Sequence, residues 1–353
     1  MMDRSSLPRS RRLLLLAFLF ALASIQLYIY LRSQFARENN RFVGQVAYSP
    51  AGETLAWVSD GSDSRGTLVI WDAARNRKRL EIPCGGFDSA IGSNVACSFA
   101  SLAFSPDGKT IATAIRSNPD AGPRVVCWKA ETGEPTIVLP LDFEVVGPVF
   151  STDGESFAGI GRDRAVKLCD PRNKKVIQAT LRVGAVPATS IAFDPDGVTL
   201  ATGWGDGVVR FWNIADREWR AQWSTQARGV SRLAYSPDGK TLAAAGSDGM
   251  LRLWDVAAGI EKSSHSGFAN ACRSIAFSPD GTILAMKFAE TSVGVLWDVK
   301  NAKVLAGFPN ASGGLAFAPD GRVLATAGGS KGKVYLVALP PSTSRSLLNT
   351  SPR

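Results

Sequence analysis

One motif recurs seven times along the 353-residue chain, and it limits the fold more than any other feature of the sequence. An apolar strand runs into an aromatic residue, a small residue and a turn. The copies are VAYSPAG (46–52), LAFSPDG (102–108), PVFSTDG (148–154), IAFDPDG (191–197), LAYSPDG (233–239), IAFSPDG (275–281) and LAFAPDG (315–321). Measured at Pro50, Pro106, Thr152, Pro195, Pro237, Pro279 and Pro319, the steps are 56, 46, 43, 42, 42 and 40 residues. A repeat of this length is one supersecondary unit per copy, and such units bury their apolar faces by stacking on their neighbours.

The layout inside each copy sets the secondary structure. In the fifth, SRLAYS (231–236) alternates with a period of two, as a half-buried strand does. Ser-Pro-Asp-Gly then turns the chain, because Pro presets φ at the first turn position and Gly accepts the strained one. TLAAAGS (241–247) is small and apolar, a Ser-Asp-Gly turn follows, and MLRLWD (250–255) forms a third strand. A more polar fourth strand, as in REWRAQWST (217–225), leads into the next copy. The fold class expected is all-β: a seven-bladed β-propeller of four-stranded antiparallel blades. The blades fall near 42–84, 98–141, 145–182, 187–225, 229–264, 271–308 and 311–340, with 341–353 as a tail.

The residues that end the third strand carry a family resemblance. They are Trp71-Asp72, Trp254-Asp255 and Trp297-Asp298, with Trp212-Asn213 and Trp128-Lys129 as near matches. Cys169-Asp170 and Val337-Ala338 depart from them. On these residues, over 42 to about 340, the chain resembles the WD40 repeat family. Most copies lack that family's upstream Gly-His, and His265 is the single histidine in the chain. The resemblance implies a non-catalytic scaffold that binds a protein partner. A fourth strand for blade seven is available either in Thr343–Asn349 or in Leu31–Glu38; the spacing from Val337 favours the former.

Ahead of the repeats lies a second kind of segment. Residues 1–12 form a basic tail, and 32–41 a linker. Between them, no charge interrupts the nineteen residues Leu13–Leu31. A helix of that length spans roughly 30 Å, the thickness of a bilayer core. Arg4, Arg9, Arg11 and Arg12 precede it, which places the N-terminus in the cytoplasm and the propeller outside as a single-pass protein. The same residues also read as a secretory signal, with Ala21-Leu22-Ala23 as an A-x-A-like site. Cleavage near Ala23 would release a secreted or periplasmic propeller. The formal net charge is +9, and residues 1–41 supply more than half of the excess. That distribution argues against a nucleic-acid footprint on the folded domain.

No pattern of catalytic chemistry stands out. The recurrent Asp107, Asp153, Asp196, Asp238, Asp280 and Asp320 are turn formers, and so are Asp163, Asp206 and Asp248. GIGRDRA (159–165) and GWGDG (203–207) lack the spacing and strand-to-helix setting of a dinucleotide fingerprint. GGSKGKV (328–334) lacks the first glycine and the Ser/Thr of a phosphate loop. No Cys/His spacing suggests a metal, and no cofactor is expected. Of the five Cys, Cys84 and Cys97 flank a Gly-rich stretch and form a candidate disulfide in an oxidising compartment.

Departures from the repeat mark the candidate binding residues. Trp204 and Phe288 occupy the position of Gly161 and Gly246, next to the second tight turn. Large apolar residues on a loop face act as binding anchors, unless they pack on a neighbouring blade. Arg116 and Arg162 fall one step later, and Arg228 lies in a following loop, so the five residues form a candidate aromatic–arginine face. The leading expectation is a membrane-tethered protein-interaction scaffold. An exported propeller hydrolase or lyase, and a small-ligand sensor, are the alternatives.

Overall fold

The computed structural model describes residues 42–60, 66–84, 97–117, 124–140, 145–151, 154, 156–161, 163–170, 175–181, 185–216, 218–268, 271–289, 291, 293–309, 313–328 and 333–339. The segment Leu13–Leu31 and both candidate closing strands lie outside this set. Among the described residues, no helix is long and apolar enough to cross a membrane.

Among the described residues, twenty-seven strands make seven antiparallel sheets in chain order. Of these, six have four described strands and the seventh three. Within each blade the strands pair in sequence order, so they are lettered a to d. Blade one runs Phe42–Tyr48, Thr54–Asp60, Thr67–Asp72 and Arg77–Pro83. Blade four runs Ala188–Phe193, Thr199–Trp204, Val208–Asn213 and Trp219–Ser224. Blade five runs Val230–Tyr235, Thr241–Gly246, Leu251–Asp255 and Ile260–His265. Blade six runs Cys272–Phe277, Ile283–Phe288, Gly294–Asp298 and Lys303–Phe308. Blade seven has Leu315–Phe317, Val323–Gly328 and Lys333–Ala338.

The a–b turns are built alike because the same side chains stitch them. Ser236 Oγ donates to Asp238 Oδ1 (2.6 Å) and accepts from the Thr241 N–H (2.9 Å). Ser105 and Ser278 repeat the arrangement in blades two and six. Gly239 closes the turn at φ +71°, where a side chain would be strained. These aspartates hold their place as turn formers. The Ser105 hydroxyl, then the Lys109 N–H, keeps Asp107 below the usual carboxylate range, and Ser236 and the Lys240 N–H do the same for Asp238.

The core lies between blades rather than inside them. Seven apolar clusters each join two consecutive blades. The seventh sets Ala325, Ala327, Val334 and Leu336 of blade seven against Val46 and Leu55 of blade one. The Gly314 N–H donates to the Gly44 carbonyl (3.1 Å) across the same seam. A Cβ at Gly314 would sit 3.1 Å from the Gln45 Cα, so any larger side chain there would push on the blade-one backbone. Blade one draws four strands from 42–83, and among the described residues its seam with blade seven is closed by this apolar packing and the Gly314–Gly44 hydrogen bond.

Candidate functional site

The seven inner strands surround a central cavity of about 880 Å³. In six of them the a–b register slips by one residue at the same place, as between Val230 and Arg232 or between Cys272 and Ser274. Such a bulge re-aims side chains and bends the strand. Around the cavity the residue after the bulge stitches one blade to the next. Gln45 Oε1 accepts from the Leu102 N–H (3.2 Å), and Ser190 Oγ from the Leu233 N–H (3.0 Å). Arg232 Nε donates to the Arg273 carbonyl (2.7 Å).

Trp204 and Phe288 differ from the expectation of exposed anchors. Trp204 is 0% exposed and Phe288 6% exposed. Both are the last residue of strand b rather than part of a loop. Trp204 packs with Leu168, Leu181 and Trp212 in the seam between blades three and four. Its indole Nε1 donates to Thr202 Oγ1 (2.7 Å), as does Trp212 Nε1 (2.9 Å). The Arg210 guanidinium lies 5.4 Å from the Trp204 ring centroid. Phe288 stacks on Phe268, with centroids 5.1 Å apart and planes at 11°. The physical reason is that a larger side chain at this position fills the gap between blades that Gly246 leaves to its neighbours. Arg228 is exposed in the loop before strand a of blade five. Arg162 and the Arg116 side chain lie outside the described residues, although the Arg116 backbone is placed in the strand Thr110–Ser117 of blade two. Of the five, the described side chains thus show Trp204 and Phe288 buried in the seams and Arg228 exposed.

In each of blades three, four and five the turn aspartate holds a cation of its own blade. Asp163 pairs with Lys167 (3.2 Å), Asp206 with Arg210 (2.7 Å) and Asp248 with Arg252 (3.0 Å). Burial alone would raise Asp206, but Arg210 and the Val208 N–H outweigh it and hold its carboxyl low. The same balance holds Asp248 low through Arg252 and the Met250 N–H. Blade four's first turn has Asp194 in place of serine, and burial raises its carboxyl.

Cys127 and Cys272 are buried unbridged thiols, pushed up by burial to about 12 and about 11, which suits packing rather than nucleophilic chemistry. Cys84 is buried and disulfide-bonded, while the Cys97 side chain lies outside the described residues. His265 ends strand d of blade five and packs 4.8 Å from the Trp297 ring. Among the described residues, no group of three His, Cys, Asp or Glu side chains is placed to hold a metal.

The pattern of exposed apolar residues was not foreseen from the repeat. Trp219 (53% exposed), Ile260 (60%) and Val304 (53%) lie near the start of strand d in blades four, five and six. Strand d is the outermost strand of each sheet, so all three sit on the outer rim. The Trp219 indole donates to the Ala221 carbonyl on its own strand (2.8 Å), which fixes the ring in place.

Comparisons with known proteins agree with this architecture. The WD domain, G-beta repeat family matches residues 178–213 and 220–255. The chain is 29% identical over 173 residues to the small ribosomal subunit protein RACK1 of Medicago sativa, covering 49% of this chain and 39% of that one. It is 36% identical over 106 residues to an uncharacterized WD repeat-containing protein of Synechocystis, covering 30% and 29%. The matches thus span well under half the length of these relatives. The β-propeller domain of Cps50 (Swd1) from Myceliophteria thermophila superposes with a TM-score of 0.70 at 18% identity, over 86% of this chain and 98% of that one. Two segments of the chain, 178–213 and 220–255, thus match the WD domain, G-beta repeat family, and the described residues have the fold of a seven-bladed β-propeller.

Proposed function

We propose that the propeller is a non-catalytic platform that binds a protein partner along the outer rim of blades four to six. The observation that carries this reading is that Trp219, Ile260 and Val304 are each about half exposed near the start of the outermost strand in consecutive blades, Trp219 and Val304 opposite Trp212 and Trp297 and Ile260 opposite Asp255. Exposed apolar residues mark contact surfaces, and Trp is enriched among the residues that dominate binding energy. The described turn carboxylates are engaged in turn hydrogen bonds or ion pairs, which supports recognition over catalysis. Arg228, with Arg116 and Arg162, supplies a second, charged contact on the loop face, and the Cys84–Cys97 disulfide clamps the approach to blade two.

The platform is tethered through Leu13–Leu31 and faces away from the cytoplasm. Support comes from the length of the uncharged run and from the arginines ahead of it. A tether raises the effective concentration of the ring at the membrane. Alkaline extraction of membranes carrying the full chain, followed by intact-mass measurement, tests this. A full-length protein retained in the pellet supports the anchor. A soluble product beginning after Ala23 replaces it with a cleaved signal.

The binding reading is tested by capture with the full chain and with a Trp219→Ala/Ile260→Ser variant of unchanged melting temperature. A stoichiometric partner kept by the wild type and lost by the variant supports the rim. Equal recovery on both baits removes it.

A further inference from the structure

One sector of the central cavity breaks the sevenfold pattern with charge. At the bulge and the residue after it, most blades carry small residues, such as Gly44, Thr189, Ser190 and Gly314. Blades five and six carry arginine instead. Arg232 follows the bulge of blade five, and Arg273 is itself the bulge residue of blade six. Both line the cavity, and no Asp or Glu is among the described residues that line it.

Arg232 is held in place without being neutralised. Arg232 Nε donates to the Arg273 carbonyl and Nη1 to the Ser231 carbonyl, each at 2.7 Å. Among the described residues neither arginine forms an ion pair. Behind them Lys287, 3% exposed, sits on strand b opposite Ser274 and donates to the Thr291 carbonyl. Burial, and then the charge of Arg273, hold Lys287 below its usual range. Two arginines on one wall, with a buried lysine on the adjacent strand, repel one another, and guanidinium forks match the geometry of an oxyanion.

We propose that the wall between blades five and six is an oxyanion site. Its ligand is a phosphate or carboxylate group, with Arg232 and Arg273 as direct donors and Lys287 as the charge behind them. The group arrives either as a free small anion or on an acidic peptide that enters the cavity. The site stands apart from the rim and does not depend on a partner there.

The test uses the full chain, titrated with inorganic phosphate at constant ionic strength and followed by calorimetry. A second arm uses an aspartate-rich peptide against its asparagine counterpart. Arg273 is exposed to the cavity, so Arg273→Gln leaves the fold intact; Arg220→Gln, on the outer strand of blade four, is the control. The expected result is saturable binding in the wild type and in Arg220→Gln, weakened about tenfold or more in Arg273→Gln. Binding of phosphate alone identifies a free anion, and binding of the acidic peptide alone identifies a partner segment. Absence of saturable binding in both arms, or equal binding by wild type and Arg273→Gln, overturns the proposal.

Discussion

Blades four and five follow one plan and fill it in opposite ways. Each has four strands, the same bulged inner strand and the same aspartate-to-arginine tie, Asp206–Arg210 and Asp248–Arg252. Blade four packs its seam with bulk: Trp204 and Trp212 share the hydroxyl of Thr202 beneath the Arg210 guanidinium. Blade five has Gly246 and Ala244 at the matching places, so Trp254 has no hydroxyl to reach, and its buried indole N–H makes no hydrogen bond. It stacks instead on Trp223 of blade four, with centroids 5.2 Å apart and planes at 14°. The difference teaches that a bulky residue replacing the repeat's glycine can be a filling for the seam rather than a contact for a partner. Exposure on the rim, not departure from the repeat, separates the two.

The largest expected effect is Trp204→Ala. It leaves a cavity in the seam between blades three and four and costs about 3–5 kcal/mol in unfolding free energy, read by denaturant titration. The matching change in blade five works by the opposite route. A Cβ at Gly246 would stand 2.1 Å from Asp248 Oδ1, so Gly246→Ala displaces the aspartate and weakens its hold on Arg252. Next is Thr202→Val, which strands two buried indole N–H groups and costs about 2–3 kcal/mol in the same assay. Val at Ala244 has no such penalty to pay through Trp254, and a cost equal to that of Thr202→Val would break the comparison.

A smaller effect comes from Asp248→Asn, which leaves Arg252 without its counter-charge and costs about 1–3 kcal/mol at neutral pH. Because Asp248 is held below its ordinary value of 3.8, its contribution is complete above that value. It is lost as pH falls through the lowered native value. The gap in melting temperature between wild type and Asp248→Asn is therefore wide at pH 7 and closes in acid below the native value. A gap that stays constant across that range contradicts the ion pair. The smallest effect is a gain: Ala244→Thr supplies the hydroxyl missing under Trp254 and stabilises blade five by about 1 kcal/mol.

What the sequence showed was what is local. The Ser-Pro-Asp-Gly turns, the alternating inner strands and the four strands per repeat rest on turn chemistry and a period of two, both written within a few residues. The seven sheets follow from them directly. The repeat aligns Trp204 and Phe288 with Gly161 and Gly246 beside the second tight turn, which reads as a loop position. Their pairings with Ala188 and Cys272 instead make each the last residue of strand b. Only the packed ring shows that the neighbouring blade receives them. The arginine wall was hidden for the same reason. Arg232 and Arg273 lie 41 residues apart, and a bulge, which no period-two reading registers, turns Arg273 into the cavity. The rim residues Trp219, Ile260 and Val304 sit in the least regular strand of each repeat, where side-chain alternation alone did not distinguish in from out.

The most direct measurement pairs two tryptophans of one blade. Trp204→Ala and Trp219→Ala are compared for unfolding free energy and for retention of the captured partner, per folded molecule. Trp204→Ala is expected to lower stability and keep the partner, whereas Trp219→Ala keeps stability and loses it. Loss of the partner with Trp204→Ala at full folding, and its retention with Trp219→Ala, would contradict the assignment of the rim as the binding surface.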